Sequence, residues 1–395
     1  MAAIDRLLAR VKEAGGSDLH LAEGQPPWLR KHGHLAALPN EPALAHDGLA
    51  ALLREIAPPQ RWERIERTGD GTFAYAPDGH TRFRVNCYRQ ASGWGAVCRF
   101  IPGEAPPLQD LGLAPAMKDL AQLHAGLVLL AGPTGSGVST TVAALCQEIN
   151  LNQSRRILTL EDPIEYVLVP RRSSVVQRDI GLHARSLAAA LREAGREGFD
   201  VIYAGEFHDS EVISLALTTA ETGALVFGTL RSSSVVRALD HIVSAFEAEQ
   251  QHWVRAMLAN TLRAVSAQVL ATKADGSGRC AANEVLIGTP GVASAIREGY
   301  ISKLSTMIQS GGMDGMVMLD DALMKKVEAK AITPAEAAAK ARDRTRFDAL
   351  AREAEKPAAP GAPAAPPKPP PPPPLTGKTQ FVTGPPRPGP GRGAR

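Results

Sequence analysis

The sequence predicts an α/β protein with a smaller α+β unit ahead of it, on the strength of three observations. From Met117 to about Ile287 short apolar runs alternate with helical patterns, which implies a mostly parallel sheet covered on both faces. Within that region residues 126–150, GLVLLAGPTGSGVSTTVAALCQEIN, read as a strand, a glycine-rich turn and a helix. Upstream, the prolines of residues 102–107 break the chain and set off a stretch with a different pattern.

In chain order, residues 1–101 are expected to form the α+β unit. Residues 3–13 place Ile4, Leu7, Leu8 and Val11 on one helical face, and Gly15-Gly16 end that helix. Residues 49–67 are helical in pattern with a break at Pro58-Pro59, and alternation marks strands at 82–86 and 95–100. Residues 102–116 are assigned to an interdomain linker and 117–287 to the core. There, strands are expected at 127–131, 156–160, 201–204, 225–229 and 282–287, with helices at 186–192, 210–222 and 250–270. Residues 288–352 read as a helical subdomain: 292–298, 300–309, 319–329 and from Pro334 onward. Residues 353–395 form the tail, where fifteen prolines between Pro357 and Pro390 dictate a disordered or polyproline II segment.

Charge and cysteine content exclude several classes. Six cations and no acid lie from Lys356 onward, so residues 1–355 carry 38 basic against 41 acidic side chains, and the body is not a basic nucleic-acid binder. The tail is read as a solvated extension, or as a tether to an acidic partner or anionic lipid. Cys87, Cys98, Cys146 and Cys280 form no CxxC pair, which argues against a disulfide framework and a zinc site and for buried apolar thiols. No apolar run approaches a membrane span and residues 1–10 lack a signal-peptide core, so a cytoplasmic location is expected.

The chemistry centres on the glycine turn. The spacing G-x-x-x-x-G-K-[ST] fits Gly132, Gly137 and Ser139, but Val138 holds the lysine position. Glycines there let backbone N–H groups converge on phosphate at a helix N-terminus, and the Ser139 hydroxyl is a Mg²⁺ ligand in such loops. The bland alternative is an ordinary strand-to-helix turn. Two further strands end in acids, Glu161-Asp162-Pro163-Ile164-Glu165-Tyr166 and VIYAG followed by Glu206 and Asp209. A carboxylate at a strand's end can orient water or hold Mg²⁺, whereas Asp209 also suits a helix N-cap.

Taken together, GPTGSG-x-STT, ILTLEDPIEY, VIYAGE-x-x-D and LALTTAETGALVFGTL-x-x-SS, in this order, resemble the hexameric secretion ATPase superfamily, most closely its PilT-type pilus-retraction motors. The resemblance covers roughly residues 3–347. It implies a PAS-like N-terminal domain, a RecA-like P-loop NTPase domain, ATP and Mg²⁺ as cofactors, and a ring of six at the inner-membrane platform of a type IV pilus machine. Carried over by position, the phosphate loop is Gly132, Pro133, Thr134, Gly135, Ser136, Gly137, Val138, Ser139 and Thr140. Glu161 falls in the acidic box, Glu206 is the Walker B acid, and Arg82, Arg84 and Arg99 stand where arginines face nucleotide in the ring.

The departures cluster on the nucleotide. Besides Val138, Arg231 stands where the family has the histidine of G-T-L-H, Ala224 replaces that of A-E-T-G-H, and Phe207-His208 replace a Met-Arg pair. A ring subunit with impaired hydrolysis is therefore expected, as a homo-hexamer or with an intact paralogue. The alternatives are an active retraction ATPase in which Arg231 partly replaces the lysine, and a non-catalytic scaffold of an intact motor. Arg231 itself is expected either at the γ-phosphate or turned to solvent or to an acid such as Glu161.

Overall fold

A computed structural model describes residues 2–355 except 32–33, 46–47, 79–80 and 102. The expected proline-rich tail from Lys356 onward lies outside the described residues.

The N-terminal region is an antiparallel sheet backed by helices. Helix α1 (Asp5–Glu13) precedes β1 (Asp18–Ala22), β2 (Trp28–Lys31) and β3 (His34–Ala37). Helices α2 (Gly48–Ile56) and α3 (Pro59–Thr68) lead to β4 (Asp70–Tyr75), β5 (Arg82–Gln90) and β6 (Gly93–Ile101), and the six strands order as β3-β2-β1-β6-β5-β4. The apolar stripe of α1 buries Ile4, Leu7, Leu8 and Val11 against that sheet, each contributing on the order of 1.5–3 kcal/mol. The break at Pro58-Pro59 falls between α2 and α3, where Pro59 occupies the first turn of α3 and loses no helical hydrogen bond.

The second sheet has seven strands. After α4 (Pro115–Asp119) come β7 (Gly126–Ala131), α5 (Val138–Asn152), β8 (Arg156–Glu161), β9 (Ser174–Asp179), α6 (Leu187–Ala194), β10 (Val201–Glu206), α7 (Ser210–Glu221), β11 (Leu225–Leu230), α8 (Val235–Ser244), α9 (Ala248–Thr261), β12 (Leu262–Thr272) and β13 (Arg279–Ile287). Their order is β13-β12-β7-β11-β10-β8-β9, parallel throughout except at β12 and β13. The sheet is covered on both faces, by α6–α9 and the helices after β13 on one and by α5 with the segment from Leu108 on the other. Leu108, Leu113 and Met117 are buried in that second core, so the second half of the proline-led connection packs against the sheet. The remaining helices are α10 (Pro290–Arg297), α11 (Leu304–Ser310), α12 (Leu319–Glu328), α13 (Pro334–Lys340) and α14 (Thr345–Glu355).

One expected element is corrected. Residues 250–270 do not form a single helix: α9 ends at Thr261 and the chain continues as β12. Because β12 lies between β7 and β13 and is covered on both sides, its sequence shows no alternation and its Ala, Leu and Gln content mimics a helix. Strand β9 and helix α8 were not anticipated. All four cysteines are buried, and burial pushes the Cys87 thiol up to about 12.

Candidate functional site

Four parallel strands, β7, β8, β10 and β11, deliver the candidate residues at their carboxyl ends, the edge of an open α/β sheet where ligands bind. From β7 the chain turns at Gly132. A Cβ there would sit 2.2 Å from the Ser136 Oγ and 2.8 Å from the Gln268 backbone oxygen, so only glycine fits. Gly135 and Gly137 take left-handed φ values of 82° and 83°, and α5 starts at Val138 with no side chain capping it, which leaves its first-turn N–H groups facing outward. The loop is pinned from beneath by neutral groups. Gln268 of β12 donates to the Ser136 carbonyl at 2.9 Å and accepts from Thr141 and Asn283, each at 3.0 Å. Val138 packs against the core beneath α5. The cradle has phosphate-binding form without an ammonium.

The acidic box after β8 is held by polar contacts of two kinds. The Glu161 carboxylate accepts from Thr159 at 2.7 Å, from Gln177 at 3.3 Å and from the Glu165 N–H at 3.4 Å. Desolvation outweighs these bonds and pushes its carboxyl up to about 7. Tyr166 of the same loop bonds Thr140 at 2.9 Å, tying box to phosphate loop. The N-terminal sheet grips the box from the other side: Arg84 pairs with Glu165 at 2.7 Å and Arg82 donates to the Ile164 carbonyl at 3.2 Å. Arg61, buried, pairs with Asp179 at 2.5 Å and Asp162 at 3.0 Å.

At the ends of β10 and β11, Glu206 and Arg231 meet. The Arg231 Nε lies 2.7 Å from one carboxylate oxygen of Glu206 and its Nη2 donates to the other at 3.1 Å, a two-pronged ion pair. His208 stands 3.7 Å from the same carboxylate. Asp209 caps α7, accepting from the Val212 N–H at 2.9 Å.

The structure thus gathers the loop of residues 132–140, Glu161, Glu206 and Arg231 along one sheet edge. Arg231 does turn to an acid, but the acid is Glu206 rather than Glu161. Arg82 and Arg84 contact the chain's own acidic loop, and Arg99 pairs with Asp18 inside the N-terminal sheet at 2.6 Å. Gln268, Asn283, Gln177 and Arg61 were not singled out from sequence. Gln268 and Asn283 were detectable in principle as polar side chains inside apolar core strands, which a fold tolerates only when they are bonded. Among the described residues no group of three or more His, Cys, Asp or Glu is placed to hold a metal by itself.

A family profile described as type II/IV secretion system protein matches residues 5–364. The type IV pilus retraction ATPase PilT of Pseudomonas aeruginosa is 42% identical over 317 residues, 80% of this chain and 92% of that protein. The chain belongs to the type II/IV secretion ATPase family. Within it, the chain is of the PilT type, part of the twitching-motility group. A twitching motility protein of Neisseria gonorrhoeae is 38% identical over 78% of this chain and 82% of its own length. The crystal structure of the pilus retraction motor PilT with bound ADP superposes with a TM-score of 0.78 at 34% identity, covering 88% of this chain and 98% of that one. The ATPase DotB of Legionella pneumophila gives 0.70 at 26% identity over 85% and 94%.

Proposed function

We propose that this chain is a nucleotide-binding ring subunit of type IV pilus machinery that hydrolyses ATP poorly. The observation that carries the reading is the pairing of an intact phosphate cradle with two altered charges: Val138 supplies none, and Arg231 covers Glu206. The N–H groups of Thr134, Gly135 and Gly137 and those of the α5 first turn remain suited to phosphate. Ser139, in the first turn of α5, and Glu206, at the end of β10, would hold a Mg²⁺, an ion that needs only one or two protein oxygens in nucleotide sites. A bound ion neutralises phosphate charge; the chain's part is to hold the phosphates and orient water.

Glu161, with its carboxyl near neutrality, suits proton exchange with an attacking water. The Arg231 guanidinium rests on Glu206, and a γ-phosphate would compete for the same planar fork. Arg231 then favours ATP over ADP without bridging the β- and γ-phosphates as a loop lysine does. The related motor PilT is solved with bound ADP, which supports nucleotide as the ligand.

The family resemblance further supports a homo- or hetero-hexamer, with an intact retraction ATPase as co-subunit, seated in the cytoplasm at the inner-membrane platform protein. Among the described residues no helix is long and apolar enough to cross a membrane. In a ring, Arg82, Arg84 and Arg99 would be released toward a neighbouring subunit's nucleotide. The residue ranges 1–101, 117–287 and 288–352 serve as N-terminal, ATPase and C-terminal units of that subunit.

Titration with ATP and ADP tests the site. Val138→Lys adds a charge-assisted contact and is expected to tighten both nucleotides about 10- to 100-fold, equivalent to roughly 1.5–3 kcal/mol. Equal affinity in wild type and Val138→Lys overturns phosphate binding on this loop.

A further inference from the structure

We propose that Arg342 is a positioning residue for Arg231, through which the C-terminal helices set whether Glu206 is covered. The inference rests on the nucleotide reading above and adds a residue 111 positions away in sequence that touches none of the candidate ligand groups.

Arg231 opens the loop of residues 231–234, which joins β11 to α8. The far end of that loop is fixed by a carboxylate that is fully buried. Glu284 of β13 is 0% exposed, and one of its oxygens accepts from the Val235 N–H at 2.8 Å, at the first turn of α8. Both its oxygens accept from Arg342, whose Nη1 and Nη2 lie 2.5 Å away, and Nη2 also reaches the Ser233 carbonyl at 3.4 Å. A buried carboxylate without a counter-charge is strongly disfavoured, so the placement of Glu284, and with it of residues 233–235, depends on Arg342.

Arg342 is in turn held by the C-terminal helices. It lies between α13 and α14, and its backbone N–H donates to Asp320 at 2.9 Å while that of Asp343 donates to the other Asp320 oxygen at 3.0 Å. Asp320, in the first turn of α12, is itself buried. The path from α12 through Asp320, Arg342 and Glu284 to the Arg231 loop is continuous, and each step is a charge-assisted hydrogen bond. A displacement of α12–α14 acts on the loop that carries the guanidinium over Glu206. A general stabilising role alone would leave the ATP-to-ADP preference untouched.

The test uses the full chain, with Mg²⁺-ATP and Mg²⁺-ADP as probes and amide hydrogen exchange as a nucleotide-independent readout. Four variants are compared: Arg342→Gln, Arg342→Lys, Arg231→Gln and, as control, Arg346→Gln, which removes only the exposed pair with Asp321. Arg342→Gln is expected to speed exchange of residues 232–236 at least ~10-fold while β11 stays protected, as local opening predicts. It should also lower the ATP-over-ADP preference to the Arg231→Gln value. Arg342→Lys, which keeps the charge without the fork, should fall between and stands in if Arg342→Gln does not fold. Arg346→Gln should match wild type. Unchanged exchange at 232–236 overturns the proposal, as does a preference that Arg231→Gln alters and neither Arg342 variant does. If wild type binds neither nucleotide, the functional reading fails, and the exchange of 232–236 alone decides whether Arg342 positions the loop.

Discussion

The two halves of the candidate site are anchored by different physics. On the β7 and β12 side, the phosphate loop rests on neutral hydrogen bonds from Gln268, Thr141 and Asn283, all buried. On the β8, β9, β10 and β11 side, Glu161 also rests on neutral bonds, but the acids around it are held by ion pairs: Arg61 with Asp179, Arg84 with Glu165, Arg231 with Glu206. Neutral buried bonds fix geometry independently of pH and salt, whereas ion pairs can exchange partners when a phosphate arrives. The contrast explains how the loop keeps its form with Val138 and no ammonium at the start of α5. Shape and charge are supplied by different residues.

Breaking each anchor should sharpen that contrast. The largest loss is expected for Arg61→Ala, which strands the buried Asp179 carboxylate and should cost about 3–5 kcal/mol in urea unfolding. A smaller loss, roughly 2–4 kcal/mol, is expected for Gln268→Leu, which leaves the Ser136 carbonyl and the Thr141 and Asn283 side chains without their shared partner. That loss should be the same in low and high salt, and a marked salt dependence would contradict a neutral anchor.

Glu161 supplies a pH test. Its carboxyl lies at about 7 in the folded chain against an ordinary 4.5, so the folded state holds the proton more tightly than the unfolded one. Its contribution is neutral below about pH 4.5 and increasingly unfavourable from there to about pH 7, at up to roughly 1.4 kcal/mol per pKa unit. Glu161→Gln should therefore raise the melting temperature at pH 8 and leave it nearly unchanged at pH 4.5. The smallest effect is expected at Arg99, whose guanidinium is exposed and whose buried partner Asp18 keeps a hydrogen bond from Ser17, so that replacement of the charge by Gln should cost about 1 kcal/mol.

What was legible in the sequence follows the same division. Glycine spacing and a flanking strand and helix made the 132–140 loop readable, because backbone shape there admits few residues. Glu161 and Glu206 were readable as acids ending apolar runs. Strand β12 was not, since burial on both faces erases the two-residue period. The Arg231 partner was also hidden. Choosing Glu206 over Glu161 requires knowing that β10 lies beside β11 with Glu206 opposite Thr229, two residues before Arg231, and sequence order does not contain that pairing. Glu284 and Arg342 lie 58 residues apart and meet only because β13 and the C-terminal segment fold onto the α8 N-terminus.

The central claim is that charge rather than shape limits this site. ATP turnover by the full chain is the direct measurement, in wild type, Val138→Lys, Arg231→His and the double variant. Wild type and each single variant are expected to turn over slowly, because wild type carries both defects and each single variant keeps one. The double variant restores the loop ammonium and uncovers Glu206, and should exceed the sum of the single gains by about tenfold or more, equivalent to ~1.4 kcal/mol in barrier. Brisk turnover by wild type, or a double variant no faster than the better single one, would contradict the account.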